Sequence, residues 1–173
     1  MTYIRSEIDT PLGPLTAIAS DAGLAALDFG HRDRSFEPFE PTSSGSHPVI
    51  DQIALELDAY FTGELTAFTV PLDLHGTPFQ VEVWRALLEI PTGETRSYVD
   101  IARAVGKPAA SRAVGLANGR NRIAIVVPCH RVIGADGRLI GYGGGLDRKR
   151  WLLEHEGAHA EAALFDGRVT ARA

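Results

Sequence analysis

Ser97-Tyr98-Val99-Asp100-Ile101-Ala102-Arg103-Ala104-Val105-Gly106-Lys107-Pro108-Ala109-Ala110-Ser111-Arg112-Ala113-Val114-Gly115-Leu116-Ala117-Asn118-Gly119 carries two short helical stretches and the signals that separate them. Ser97 caps the first, with Asp100 three residues on as in a capping box. Gly106 ends that helix. Pro108 opens a second, predicted from Ala109 to about Ala117, and Asn118-Gly119 stops it. Two short helices across Gly106-Lys107-Pro108 make a helix-turn-helix candidate, although the same spacing fits any ordinary helix pair.

Working outward, Thr77-Pro78-Phe79-Gln80 is a further capping box with proline at the first helical position. It predicts a helix to about Glu89 with Phe79, Val83, Trp84, Leu87 and Leu88 facing inward, stopped by Pro91-Thr92-Gly93. On the other side, Ile123–Val127 is a continuous β-rich apolar run and predicts a buried strand. Val132–Ile133 and Arg138–Ile140 flank the hairpin-like turn Gly134-Ala135-Asp136-Gly137. Gly141-Tyr142-Gly143-Gly144-Gly145 is a glycine-rich loop without the strand–GxxxxGK[ST]–helix context of a phosphate loop. Leu146–His155 predicts the last helix, burying Leu146, Trp151, Leu152 and Leu153 and turning Arg148-Lys149-Arg150 to solvent. Trp84 and Trp151 read as core.

The first half is of another kind. Tyr3–Ile8, Leu15–Ala19 and Leu24–Phe29, joined by turns at Thr10–Pro14 and Asp21–Gly23, read as an antiparallel meander. Residues 31–47 are acidic and rich in Pro, Ser and Gly, and read as an exposed mobile loop. Val49–Phe61 has helical apolar spacing, and Phe68–Leu74 reads as a strand or extended connector. The fold class is therefore α+β, divided into an N-terminal α+β domain over 1–75 and a helical C-terminal domain over 76–173.

The chain has 173 residues, 45% hydrophobic and 23% charged, ordinary values for a globule with a sizeable core. Cys129 is the single cysteine, so no intramolecular disulfide or multi-cysteine metal cage can form. Neither a metal nor a cofactor is expected. The N-terminus lacks a signal-peptide pattern, and no stretch approaches the roughly 18 apolar residues of a membrane span. The expected setting is the reducing cytoplasm, with no membrane partner. Net charge is −5, but residues 1–90 hold 4 Lys/Arg against 14 Asp/Glu, while residues 91–157 hold 11 against 6. An acidic first half and a basic second half suit one face meeting phosphates, though uneven surface composition gives the same count.

Cys129 sits in Pro128-Cys129-His130-Arg131-Val132. A lone cysteine ordinarily reads as a small buried hydrophobe. Pro128 donates no ladder hydrogen bond, so the strand must stop or bend before the thiol. A thiol near a cation titrates below its free value, and the thiolate is the nucleophile. In a straight strand Cys129 and His130 face opposite ways. They cooperate only if the chain turns helical at Pro128, or if a water bridges them.

Ile125-Val126-Val127-Pro128-Cys129-His130-Arg131-Val132-Ile133 resembles the active-site signature of the O6-alkylguanine-DNA alkyltransferases. Ser97-Tyr98, Ser111-Arg112-Ala113-Val114-Gly115 and Asn118-Gly119-Arg120-Asn121 lie at that family's spacing before the cysteine. Gly141-Tyr142-Gly143-Gly144-Gly145-Leu146 and Trp151–Gly157 lie at its spacing after it. The likeness is specific over roughly 78–157 and looser over 1–75. It implies a ribonuclease H-like N-terminal domain and a winged-helix-like C-terminal one, of the stand-alone bacterial type.

The resemblance implies a single-use repair reaction in which Cys129 takes the alkyl group from guanine. His130 would take the thiol proton through a water, Glu156 would hold His130, and Asn121 would brace the turn before the active-site strand. A carboxylate at a helix C-terminus is badly placed against the helix dipole, which favours a specific partner for Glu156. Tyr98 would donate toward the guanine ring. Val132, Tyr142, Gly143 and Gly144 would form the base pocket. Arg112 would enter the duplex in place of the extruded nucleotide, with Ser111, Ala113 and Gly115 giving the helix its close approach; tight packing alone would also explain a helix of small residues. The implied partner is double-stranded DNA containing O6-alkylguanine, met in the minor groove by a monomer, with cooperative binding open. A base inside the stack is out of reach of a thiol, so it must be flipped out. Arg122 stands where many relatives have proline. Two other readings compete: a non-catalytic lesion sensor, which the cysteine disfavours, and a cysteine hydrolase, for which no oxyanion hole is marked.

Overall fold

Tyr3–Ile8 (β1) alternates buried and exposed residues, whereas Leu15–Ser20 (β2) and Gly23–Asp28 (β3) are buried along their whole length. In the computed structural model, which describes residues 2–30, 39 and 42–157, these strands make the predicted meander. β1 pairs antiparallel with β2, and β2 antiparallel with β3. A fourth strand, Thr42–Ser44 (β4), runs parallel to β1 and gives the order β3-β2-β1-β4. The loop expected over 31–47 is corrected there: Thr42–Ser44 is paired and Phe39 is fully buried against Tyr3, at 5.2 Å between rings. Residues 31–38, 40 and 41 lie outside the described residues. The strand is not legible in the sequence, because Thr42, Ser43 and Ser44 carry no apolar alternation.

Pro48–Phe61 (α1) is capped by His47, whose Nδ1 accepts from the Val49 amide. It buries Val49, Ile50, Ile53, Leu57 and Tyr60 as spaced, and also Glu56. Residues 68–74 form the extended connector. Leu24 N donates to Pro71 O at 2.8 Å and Asp73 N to Leu24 O at 2.9 Å. Gly23 is required where the connector passes, since a Cβ there would lie 2.5 Å from the Pro71 carbonyl oxygen.

The chain resolves into two compact units: residues to His75 with Arg122–Ala124, and Gly76–Asn121 with the described residues from Ile125 on. The second holds Pro78–Leu88 (α2), Arg96–Ser97 (β5), Tyr98–Ala104 (α3), Ser111–Gly119 (α4), a 3-10 turn at Cys129–Arg131, Val132–Ile133 (β6) and Leu146–Glu156 (α5). Both predicted capping boxes form, at Thr77/Gln80 and Ser97/Asp100. Within α2, Val83, Trp84 and Leu87 are buried and Trp84 Nε1 donates to Ala117 O, but Leu88 is exposed. It lies in the last turn, where the inward stripe has already rotated away.

Two further expectations are corrected. α4 begins at Ser111, because Pro108 and Ala109 form a separate turn. β6 pairs in parallel with β5, and the hairpin-like turn after it closes through Gly137 N to Gly134 O at 2.9 Å and Gly134 N to Arg138 O at 2.8 Å. The run 123–127 is no strand. Ile123 makes only an isolated bridge to Leu27, and residues 124–126 turn, with Ile125 at φ 71°. A β-branched residue in the left-handed region costs about 1–3 kcal/mol and persists only where its surroundings dictate it; Ile125 is 1% exposed. The run is apolar because every side of it is buried, not because it is extended. Among the described residues no helix is long and apolar enough to cross a membrane.

Candidate active site

Pro128 ends the turn, and the next three residues wind into one 3-10 turn. Cys129 N donates to Val127 O and Arg131 N to Pro128 O, at 2.8 and 2.9 Å. The chain thus takes a helical turn at Pro128. Cys129 is 7% exposed and His130 fully buried. Val132 follows, also buried.

Glu156, the last residue of α5, joins this turn through a side chain only 1% exposed. His130 Nε2 lies 2.7 Å from its Oε2. Arg131 reaches it twice, Nε to Oε1 at 2.8 Å and Nη2 to Oε2 at 3.1 Å, and also donates to Ile90 O and to Thr92 Oγ1. Burial would raise the Glu156 carboxyl; the charge and hydrogen bond of His130, then those of Arg131, outweigh it and hold the group well below the usual carboxylate range. With Nε2–H given to an ionised carboxylate, the proton-accepting nitrogen of His130 is Nδ1. That nitrogen is buried without a protein hydrogen-bond partner. The arrangement is a thiol, an adjacent imidazole with an available lone pair, and a carboxylate fixing the tautomer.

Tyr98, at the start of α3, is half-buried and donates its hydroxyl to Ile140 O at 3.1 Å. Burial, and next the negative charge that Cys129 can carry, raise its pKa, so it stays a donor. Tyr142 and Gly144 are half-buried, and Gly141, Gly143 and Gly145 exposed. Asn121 Nδ2 donates to Val127 O at 2.8 Å, tying the end of α4 to the turn before Cys129. On α4 Arg112 and Ala113 are exposed, and Ser111 and Gly115 partly so. Arg112 is therefore open to solvent. Arg122 Nε donates to His75 O at 3.0 Å and its guanidinium lies over Phe39, so the residue that departs from the family pattern is packed into the first unit. Among the described residues no group of three His, Cys, Asp or Glu could hold a metal.

Two family models cover most of the chain: 6-O-methylguanine DNA methyltransferase, DNA binding domain, over residues 78–158, and 6-O-methylguanine DNA methyltransferase, ribonuclease-like domain, over residues 3–74. The chain belongs to the 6-O-methylguanine DNA methyltransferase family. A methylated-DNA–protein-cysteine methyltransferase of Mycobacterium bovis is 54% identical over 96% of this chain and 100% of its own length. One from Shigella flexneri is 42% identical over 91% and 97%. The crystal structure of Mycobacterium tuberculosis OGT in complex with DNA matches with a TM-score of 0.81 at 51% identity, covering 96% of this chain and all of that one. Membership carries the activity, DNA repair by transfer of an alkyl group to a cysteine of the protein.

For this member of the family the structure adds three residues, Arg131, Lys149 and Asn118, to those the sequence points to. Arg131 was only a cation near a thiol; the structure makes it the second partner of Glu156. Lys149 was expected on a solvated helix face but is fully buried, while Leu146 is 43% exposed and Trp151 is only half-buried, stacked on His155. The signal was present. Residues 149, 152, 153 and 156 recur at i, i+3, i+4 and i+7, so Lys149 shares the buried stripe of Leu152, Leu153 and Glu156. Asn118 was read only as a helix stop; it is buried and donates to Cys129 O at 3.4 Å.

Proposed function

We propose that Cys129 accepts the alkyl group of O6-alkylguanine from double-stranded DNA, once per molecule and irreversibly. The 2.7 Å contact of His130 with Glu156 carries this reading, because it turns the imidazole next to the only cysteine into a base. His130, through a water, takes the thiol proton. The thiolate attacks the alkyl carbon, a C–S bond forms as the C–O6 bond breaks, and the electron pair stays on guanine. Tyr98 exchanges the Ile140 carbonyl for the guanine ring, and the proton lost by the thiol restores neutral guanine.

The domain 76–173 carries the site. The thiol is nearly closed to solvent, so the base must leave the stack to reach it. α4 enters the minor groove, Arg112 fills the gap left by the flipped nucleotide, and Ser111, Ala113 and Gly115 let the backbone approach. Val132, Tyr142, Gly143 and Gly144 line the base pocket. The protein acts as a monomer in the cytoplasm, where the thiol stays reduced, and lesion search relies on phosphate contacts with little sequence preference. A cysteine hydrolase fits less well. The Cys129 amide, the usual first member of an oxyanion hole, is spent on Val127 O.

Stoichiometric methylguanine-containing duplex should raise the intact mass by one CH2, located on Cys129, and further substrate should add nothing. Cys129→Ala should give no adduct and still bind DNA. No adduct on the wild-type chain, or an adduct elsewhere, rejects the assignment.

A further inference from the structure

Lys149 is fully buried in α5, and its ammonium is spent on three backbone carbonyls: Val132 O at 2.7 Å, Ile140 O at 3.1 Å and Gly141 O at 3.2 Å. Val132 follows the nucleophile's turn, and Ile140 and Gly141 lead into the glycine-rich loop. The ammonium therefore fastens the loop that walls the proposed base pocket to the strand that leaves Cys129. The Ile140 carbonyl accepts from Tyr98 as well, so one carbonyl holds both Lys149 and the tyrosine proposed to meet the guanine ring.

A structural staple could be neutral. An ammonium costs far more to bury than an amide unless a negative charge faces it. Burial lowers Lys149 to about 8, and Cys129 pulls the other way. Glu156 shares its helix but is already matched by His130 and Arg131. Tyr98, on α3, stays neutral. Arg148 and Arg150, its neighbours on α5, add only positive charge; Arg148 donates to Gly144 O, and Arg150 lies 3.9 Å from Asp147. Among the described residues, Cys129 is the group whose negative charge acts on Lys149.

We propose that Lys149 is a positioning residue for alkyl transfer, whose buried ammonium latches the 140–141 turn onto Val132 and is the fixed counter-charge of the Cys129 thiolate. The inference rests on the assignment of Cys129 as acceptor. It predicts that thiolate and ammonium support each other, and that both the latch and the charge are needed for full rate.

Lys149 and Lys107 are the only lysines in the chain, so the Nζ titration of Lys149 can be followed by lysine-selective NMR on the full chain, with Lys107→Arg removing the other signal. In Cys129→Ser, where no thiolate can form, the Lys149 titration should move down by about half a unit or more; an unchanged titration overturns the counter-charge. This measurement requires no substitution of Lys149. In folded Lys149→Met, haloacetamide alkylation of Cys129 at pH 7 should slow about threefold to tenfold, with its pH profile moved to higher pH. Lys149→Gln, which keeps donors without charge, should recover pocket-dependent reaction with free benzylguanine but not the thiol profile. A folded Lys149→Met with unaltered profile and transfer rate overturns the proposal while wild-type transfer stands. Absence of transfer in the wild type would instead remove the reading on which it rests.

Discussion

In the first unit Glu56 accepts from Gln52 Nε2, Thr69 N, Thr69 Oγ1 and Val70 N, at 2.7 to 3.2 Å. In the second unit Glu156 accepts from His130 and Arg131 over the same range of distances. Burial raises each carboxyl and its hydrogen bonds lower it further, so both end below the usual range. The difference lies in the donors. Glu56 meets neutral amides and a hydroxyl, which fix the start of the 68–74 connector and have no proton to exchange. Glu156 meets a guanidinium, which keeps it ionised, and an imidazole, whose orientation it fixes. The same side chain staples backbone in one unit and orients an imidazole in the other, and only its partners decide which.

Glu156→Gln should break that contrast most severely. It leaves Arg131 buried without a counter-charge, so unfolding free energy should fall by about 3–5 kcal/mol and transfer to Cys129 should drop more than about 100-fold, as read by urea denaturation and single-turnover kinetics. Arg112→Ala should slow repair of duplex about tenfold or more while leaving attack on free benzylguanine unaltered; equal loss on both would remove the finger assignment. Glu56→Ala strands the Thr69 and Val70 amides and should cost about 2–3 kcal/mol, with the transfer rate per folded molecule unchanged. Slower transfer there would show that the two carboxylates are less separate than their partners suggest. Each carboxyl has a depressed folded pKa, so its stabilisation is present above about pH 4 and lost as pH falls toward the folded value. The acid limb of the stability curve should flatten more in Glu156→Gln than in Glu56→Ala. The smallest effect belongs to Gly115→Ala. A Cβ there meets only the Tyr98 ring, 3.8 Å away, so the helix should gain about 0.5–1 kcal/mol, while duplex repair slows if α4 approaches DNA through its backbone.

Local signals were read well where they are local in origin. Thr77/Gln80 and Ser97/Asp100 form their capping boxes because both partners lie within one turn. The meander follows from alternation and turns. Ile123–Val127 misled because burial on all sides and extension in a sheet leave the same apolar run. Lys149 misled because a charge run is ordinarily solvated, and the stripe it shares with Leu152 and Leu153 becomes decisive only when three carbonyls converge on it.

By itself the sequence determined the α+β class, the meander, the capping boxes and the placing of a single cysteine beside a histidine, since each depends on residue type and short spacing. Tertiary structure alone decided which nitrogen of His130 faces Glu156, what keeps Glu156 ionised and why a lysine can be buried. Those outcomes depend on groups tens of residues apart in the chain meeting at hydrogen-bond distance in a medium where an unmatched charge is too costly to keep.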